Sequence, residues 1–282
     1  MNWNPTWICP ANDLGDPAAV FGTSFVFEKK ITHANLTITA MGVYEARLNG
    51  RRVGQFVMAP GWTSYHKRLQ YQEYDITDLL TNGKNEIEVA VGKGWYRSPL
   101  PGWLGCAYQD ELRSRPCGLA AQITLTFEDG SSKILSTDES WKVSDGPVRF
   151  SEIYDGEIYD SAKTPLLDQP VTIFDGPTDT LILQQGEEVC EQERLAVKKV
   201  FVTPNGETVL DFGQNMTGYV ELFVNAKAGD CVDLSFAEVM DKEGNFYTEN
   251  YRGAKAQYHY ICSDGVQTWH PSLTFYGFRY IR

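Results

Sequence analysis

The chain has 282 residues, 42% hydrophobic and 22% charged, which is enough apolar material for sizeable cores and too much for disorder. A formal net charge of −12 leaves nothing to neutralise a row of phosphates and excludes nucleic acid as a partner. No stretch approaches the roughly 20 apolar residues that a membrane helix needs, and the length suits two β-sandwiches better than one.

Residues 1–20, rich in Pro, Asn and Asp, are expected to form an irregular arm. The segment Met1–Trp7 has neither the basic start nor the apolar stretch of a secretory signal. The six cysteines show no metal-finger spacing and are expected as free thiols, giving a cytoplasmic address.

Strand patterns follow. Phe25 and Phe27 alternate with polar neighbours, Tyr44, Ala46 and Leu48 share one face, and Ile87, Val89 and Val91 another; Ile123, Leu125 and Phe127 repeat the pattern. Eight Asn-Gly or Asp-Gly pairs punctuate the chain, at 49–50, 82–83, 129–130, 145–146, 155–156, 175–176, 205–206 and 264–265. Such pairs tolerate the positive φ of two-residue hairpin turns, so each is expected to reverse an antiparallel strand. Pro165, Pro170 and Pro177 weaken the pattern and mark a connector. Residues 187–200 read equally as helix, by propensity, or as strand, by position. Later strands are expected at 219–224, 231–237, 257–261 and 275–281. The fold class is therefore all-β, with two antiparallel, jelly-roll-like β-sandwich domains spanning 21–165 and 166–282.

Candidate sites are few. The loop from Trp95 and Arg97 through Trp103, Tyr108, Asp110 and Glu111 is the best ligand candidate, because pyranose C–H faces stack on Trp or Tyr while Arg and carboxylates bond hydroxyls. Trp95 reads first as a core aromatic closing a sandwich end, and Trp103 equally as core or ligand contact. Trp62 and Tyr65 are expected to pack in a turn. Glu152, Asp155, Glu157 and Asp160 offer a carboxylate pair or hard oxygen ligands for calcium, or simply a solvated hairpin. Otherwise no cofactor is called for: the four histidines lack a second ligand at metal spacing, and no nucleophile setting is present.

Several stretches resemble the N-terminal region of bacterial α-L-rhamnosidases, glycoside hydrolase family 78. They are 44–50 (YEARLNG), 59–65 (APGWTSY), 71–77 (YQEYDIT), 92–97 (GKGWYR), 154–160 (YDGEIYD), 211–215 (DFGQN), Ala237-Glu238 and 275–280 (FYGFRY), in that order. The resemblance implies an inverting hydrolase whose two catalytic acids lie in an (α/α)6 barrel following the β-domains, with rhamnose-containing glycosides as substrates. It also implies that some members carry a calcium-dependent rhamnose-binding module in the β-region. This chain stops after Phe275–Ile281 with no helical repeat, so it is expected to be the non-catalytic region that braces the barrel, with no catalytic residue to carry over. Glu238 and Arg252 are placed either toward that barrel or in a surface ion pair. A free-standing lectin-like module and a small glycosidase built on Glu152–Asp160 are the alternatives.

Overall fold

The computed structural model describes residues 3–99, 111–112 and 114–282. In chain order the strands are β1 (Trp7–Pro10), β2 (Ala19–Phe27), β3 (Ile31–Ala40), β4 (Val43–Leu48), β5 (Arg51–Arg52), β6 (Leu69–Asp75) and β7 (Gly83–Gly92). After the short helix α1 (Gly94–Arg97) come β8 (Leu119–Phe127), β9 (Ser132–Ser136), β10 (Lys142–Asp145), β11 (Val148–Glu152), β12 (Gly156–Asp160), β13 (Gln169–Phe174) and β14 (Leu181–Leu183). The remainder are β15 (Lys199–Val202), β16 (Thr208–Gly218), β17 (Leu222–Ala226), β18 (Cys231–Ala237), β19 (Val239–Met240), β20 (Phe246–Tyr247), β21 (Gln257–Ile261), β22 (Gly265–Trp269) and β23 (Tyr276–Ile281).

Two compact units share these strands, and they interleave along the chain. Residues 147–164 and 191–282 fall in one unit, while 114–146 and 165–190 join the first 97 residues in the other. The sequence suggests one crossing near 165; the chain in fact crosses between units more than once.

In the first unit the strands run β14-β6-β3-β8-β1-β13-β10-β2-β7-β4-β5, with β9 added to β8. Strand β13 joins the two halves of this path, pairing with β1 through Val171–Phe174 and with β10 through Gln169 and Pro170. The two halves face each other across a core of Leu36, Ile38, Ile123 and Leu125 from one and Phe21, Ala46, Leu48, Ile87 and Val89 from the other. Alternation decides which side chains enter: Tyr44, Ala46 and Leu48 are buried while Arg47 between them is exposed. Strand β1 lies within the segment expected as an irregular arm, where Trp7 and Ile8 are both buried. Likewise the expected connector holds β13, because Pro170 sits near its start, where a missing N–H is tolerated.

The second unit is a seven-stranded sheet, β11-β12-β21-β18-β23-β16-β15, with the small pairs β17–β22 and β19–β20. Its core is aromatic: Phe236 lies 4.8 Å from the rings of both Tyr258 and Tyr276 and 4.9 Å from that of Phe278. Most pairings are antiparallel, but β12 runs parallel to β21, as β14 does to β6 in the first unit. Gly156 opens β12 at φ +122°, and a Cβ there would meet the Gln257 carbonyl oxygen at 1.7 Å, so only glycine fits. Residues 187–198 form neither helix nor strand. Four of the eight turn pairs, at 49–50, 129–130, 155–156 and 205–206, close hairpins between paired strands. Those at 82–83, 145–146, 175–176 and 264–265 instead carry the chain between strands that do not pair with each other.

Candidate functional site

In the first unit, two loops meet in an aromatic cluster. Gly61, at φ +85°, donates its N–H to the Met58 carbonyl (3.0 Å) and turns the chain outward at Trp62. Further along that loop, the Lys67 and Arg68 N–H groups both donate to the Ser64 carbonyl (2.7 and 2.9 Å), and Gln70 Nε2 donates to the Pro60 carbonyl (3.2 Å). The other loop is α1. Its Gly94 lies at φ +53° against Val43, where a Cβ would approach the Val43 nitrogen to 2.8 Å.

The loops interlock ring on ring. Tyr65 meets Tyr96 edge to face at 5.2 Å, and both pack on the small cluster of Trp7, Met41, Leu69 and Ala120. The Arg115 guanidinium lies 5.1 Å over the Tyr96 ring and donates to the Tyr96 carbonyl (3.1 Å). Beyond this anchored pair, Trp62 and Trp95 stack with centroids 6.1 Å apart and planes within 6°. Trp95 is half-buried, whereas Trp62 remains 61% exposed. Tyr65 thus packs as the sequence predicts, while Trp62 packs one face on Trp95 and stays largely exposed.

Of the predicted sugar-contacting residues, Trp103, Tyr108 and Asp110 lie outside the described residues. Trp95 and Arg97 belong to the first unit and Glu111, which is exposed, to the second. Arg97 points inward: among the described residues its buried Nε has no hydrogen-bond partner, and its guanidinium bonds the Cys117 thiol. Enclosure pushes that thiol up to about 11 even though Arg97 pulls it down, so Cys117 is no nucleophile at neutral pH. Cys9, Cys117, Cys231 and Cys262 are free thiols.

In the acidic cluster, three of the four side chains have partners elsewhere. Glu157 is 2% exposed and accepts the Leu273 N–H (3.4 Å), and its charge raises both Tyr258 and Tyr276, whose upward shifts come first from burial. Asp155 pairs with Lys255 (3.1 Å), and Asp160 accepts the Ala162 N–H (3.0 Å). Among the described residues no three His, Cys, Asp or Glu side chains converge to hold a metal. Asp155, Glu157 and Asp160 thus each have a partner outside the cluster.

Elsewhere in the second unit, Glu238 accepts from Asn215 Nδ2 on one carboxylate oxygen and from Asn250 Nδ2 on the other, both at 3.2 Å. Tyr251, raised to about 12 by burial and then by the Glu238 charge, donates to the Gly277 carbonyl (2.9 Å). Sequence spacing hides this trio, whose members lie 23 and 12 residues from Glu238. A cleft of about 180 Å³ between Phe25, Ile123, Ile134 and Trp141 falls below the about 300–1,000 Å³ of ligand pockets.

Compared with known proteins, residues 29–193 match the α-L-rhamnosidase N-terminal domain and residues 201–282 the bacterial α-L-rhamnosidase concanavalin-like domain. The chain belongs to the bacterial α-L-rhamnosidase family. It is 37% identical over 265 residues to an α-L-rhamnosidase of Streptomyces avermitilis, an alignment covering 90% of this chain and 25% of that protein. The crystal structure of an α-L-rhamnosidase from Aspergillus terreus superposes with a TM-score of 0.92 at 37% identity, over 98% of this chain and 33% of the other. That of the Streptomyces avermitilis α-L-rhamnosidase complexed with L-rhamnose gives 0.86 at 36% identity, over 94% and 27%. The chain thus spans about a quarter to a third of the length of its rhamnosidase relatives and corresponds to a non-catalytic N-terminal region.

Proposed function

We propose that the intact protein hydrolyses terminal α-L-rhamnosyl residues from glycosides, and that this chain supplies the β-domains that brace its catalytic domain. The observation that carries the reading is the two rhamnosidase domains matched one after the other across residues 29–193 and 201–282. The acids of the reaction then lie outside these residues. Of the candidate sugar contacts, Trp95 stays half-buried beside Trp62, whereas Arg97 is turned inward toward Cys117.

The test is an assay with a chromogenic α-L-rhamnoside on this chain and on a form extended by the downstream coding sequence. Hydrolysis by the longer form alone is the expected result. Enzyme-like hydrolysis by the 282-residue chain would overturn the division of labour, and silence from both would overturn the rhamnosidase reading.

A further inference from the structure

We propose that β9 is a docking edge for an extended segment of a partner protein, which adds to it as an antiparallel strand and seats one apolar side chain in the cleft beside Phe25 and Trp141. This edge lies wholly within the first unit and does not depend on the rhamnosidase reading above.

Three observations converge. First, the edge is open. Among the described residues β9 pairs only with β8, from Ser132↔Thr126 to Ser136↔Gln122. The Phe127 N–H donates to the Ser131 carbonyl (2.9 Å) and the Thr137 N–H to the Ala121 carbonyl (2.8 Å), so in between Lys133 and Leu135 bond inward to β8. The N–H and C=O groups of Ser132 and Ile134 therefore point out along the free edge, whereas the Ser136 carbonyl accepts the Trp141 indole N–H (3.3 Å). Second, the facing half of the sandwich is uncovered at the same level. Strand β10 pairs with β2 only over Ala19–Gly22, and beside Thr23–Phe25 the two halves part into the cleft of about 180 Å³. That volume suits one leucine or phenylalanine side chain, since a cavity of about 150 Å³ admits benzene. Third, the surface carries a pattern. Ile134 is 60% exposed at the middle of the edge, Lys133 is exposed beside it, and Asp138, which lines the cleft, and Glu139 are exposed at the other end.

An incoming antiparallel strand alternates as β9 does. Its residue opposite Leu135 turns into the cleft, and the next, opposite Ile134, covers that exposed side chain on the outer face. The one after meets Lys133, and the residue two before the apolar one reaches toward Asp138. Charge complementarity thus asks for a Lys or Arg, an apolar residue and an acid at alternate positions from N- to C-terminus. A second copy of this chain is the poorer occupant, because antiparallel self-pairing through Ser132 and Ile134 sets Lys133 directly opposite its own image.

The probe is the peptide acetyl-Lys-Thr-Phe-Val-Glu-Thr-amide, titrated into the isotope-labelled chain and followed by amide NMR. Saturable millimolar binding should shift the Ser132 and Ile134 amide resonances together and slow their hydrogen exchange. The same peptide with Ser in place of Phe should bind about tenfold or more weakly, for want of the buried ring. Lys133→Glu should weaken binding by about fivefold, the size of one reversed cross-strand charge pair. Ile134→Pro should abolish it with little change in melting temperature, because an outward N–H makes no ladder bond. Should that variant fail to fold, Lys133→Glu and the Ser peptide carry the test. Unmoved Ser132 and Ile134 resonances, equal binding of the Ser peptide, or undiminished binding by Lys133→Glu or by folded Ile134→Pro would each overturn the docking edge. So would a dimer of the chain without peptide, or an Ile134 amide already protected in the form extended by the downstream coding sequence. These two results would assign the edge to a second copy or to the protein's own later residues.

Discussion

Tyr44 shows how a single hydroxyl sets the stability of the first unit. Its ring lies in the core, and its OH donates to Gln72 Oε1 (2.8 Å) and lies 3.4 Å from the Tyr74 OH. Gln72, itself 1% exposed, passes the chain on by donating to Gln184 Oε1 (3.0 Å). Tyr44→Phe keeps the ring and strands a buried acceptor, so about 1–3 kcal/mol of stability should be lost in a urea titration. The same network governs alkaline behaviour. Burial raises Tyr44 well above the ordinary tyrosine value and Tyr74 to about 12. A folded-state value above the unfolded one means the neutral rings stabilise fully below pH 10, and that stability is lost as pH rises toward 12. Unfolding midpoints measured from pH 8 to 12 should fall steeply only above pH 10, and less steeply in the Tyr44→Phe variant.

At the scale of elements, the joint between β16 and β23 is the informative one. Asp211 faces Tyr280 and Met216 faces Phe278, so residues 212–215 bulge from the ladder, with Phe212 turned into the core and Gln214 and Asn215 left exposed. Arg279 grips Asp211 with two parallel bonds (2.8 and 2.9 Å), and the Gly213 N–H adds a third (2.6 Å). These donors, Arg279 first, hold the carboxyl below its usual range against the opposing effect of burial. A depressed folded-state value stabilises above the ordinary carboxylate range and ceases to as pH falls through it. Asp211→Asn should therefore lower the melting temperature by roughly 3 °C at pH 7, with the gap to wild type closing under acid; a gap independent of pH would refute the ion pair's role. Much of this level is legible in sequence, because alternation at 44–48 and 87–91 and the ranges of β18 and β21 follow directly from period-2 patterning. Turn chemistry is less decisive. Asp155-Gly156 closes a hairpin while Asp145-Gly146, a similar dipeptide, leads the chain out of one unit into the other, since a dipeptide fixes local φ and not the partner strand. The site was legible only in part. Trp95 stands out by composition, but its stacking on Trp62, 33 positions earlier, depends on two loops brought together by β4 and β6.

The interleaving of the two units makes a prediction about the whole molecule. Residues 191–282 look like a self-contained domain along the chain, and one family match falls within them. Their sheet, however, is completed by β11 and β12 from residues 147–164. Strand β12 runs parallel to β21 from Gly156↔Gln257 to Asp160↔Ile261, and it brings Glu157 beside Tyr258 and stacks Tyr159 on Tyr260 at 5.6 Å. Without it, β21 becomes an open edge beside an exposed aromatic core, the combination that favours aggregation. A fragment of 191–282 alone should therefore aggregate or melt without cooperativity, whereas the whole chain shows dispersed amide resonances and a cooperative transition. Adding a peptide of residues 147–164 should recover soluble fragment, because it restores both missing strands of that sheet. A cooperative melt from 191–282 alone would mean that β16, β18, β21 and β23 suffice, and that β11 and β12 decorate the unit rather than complete it.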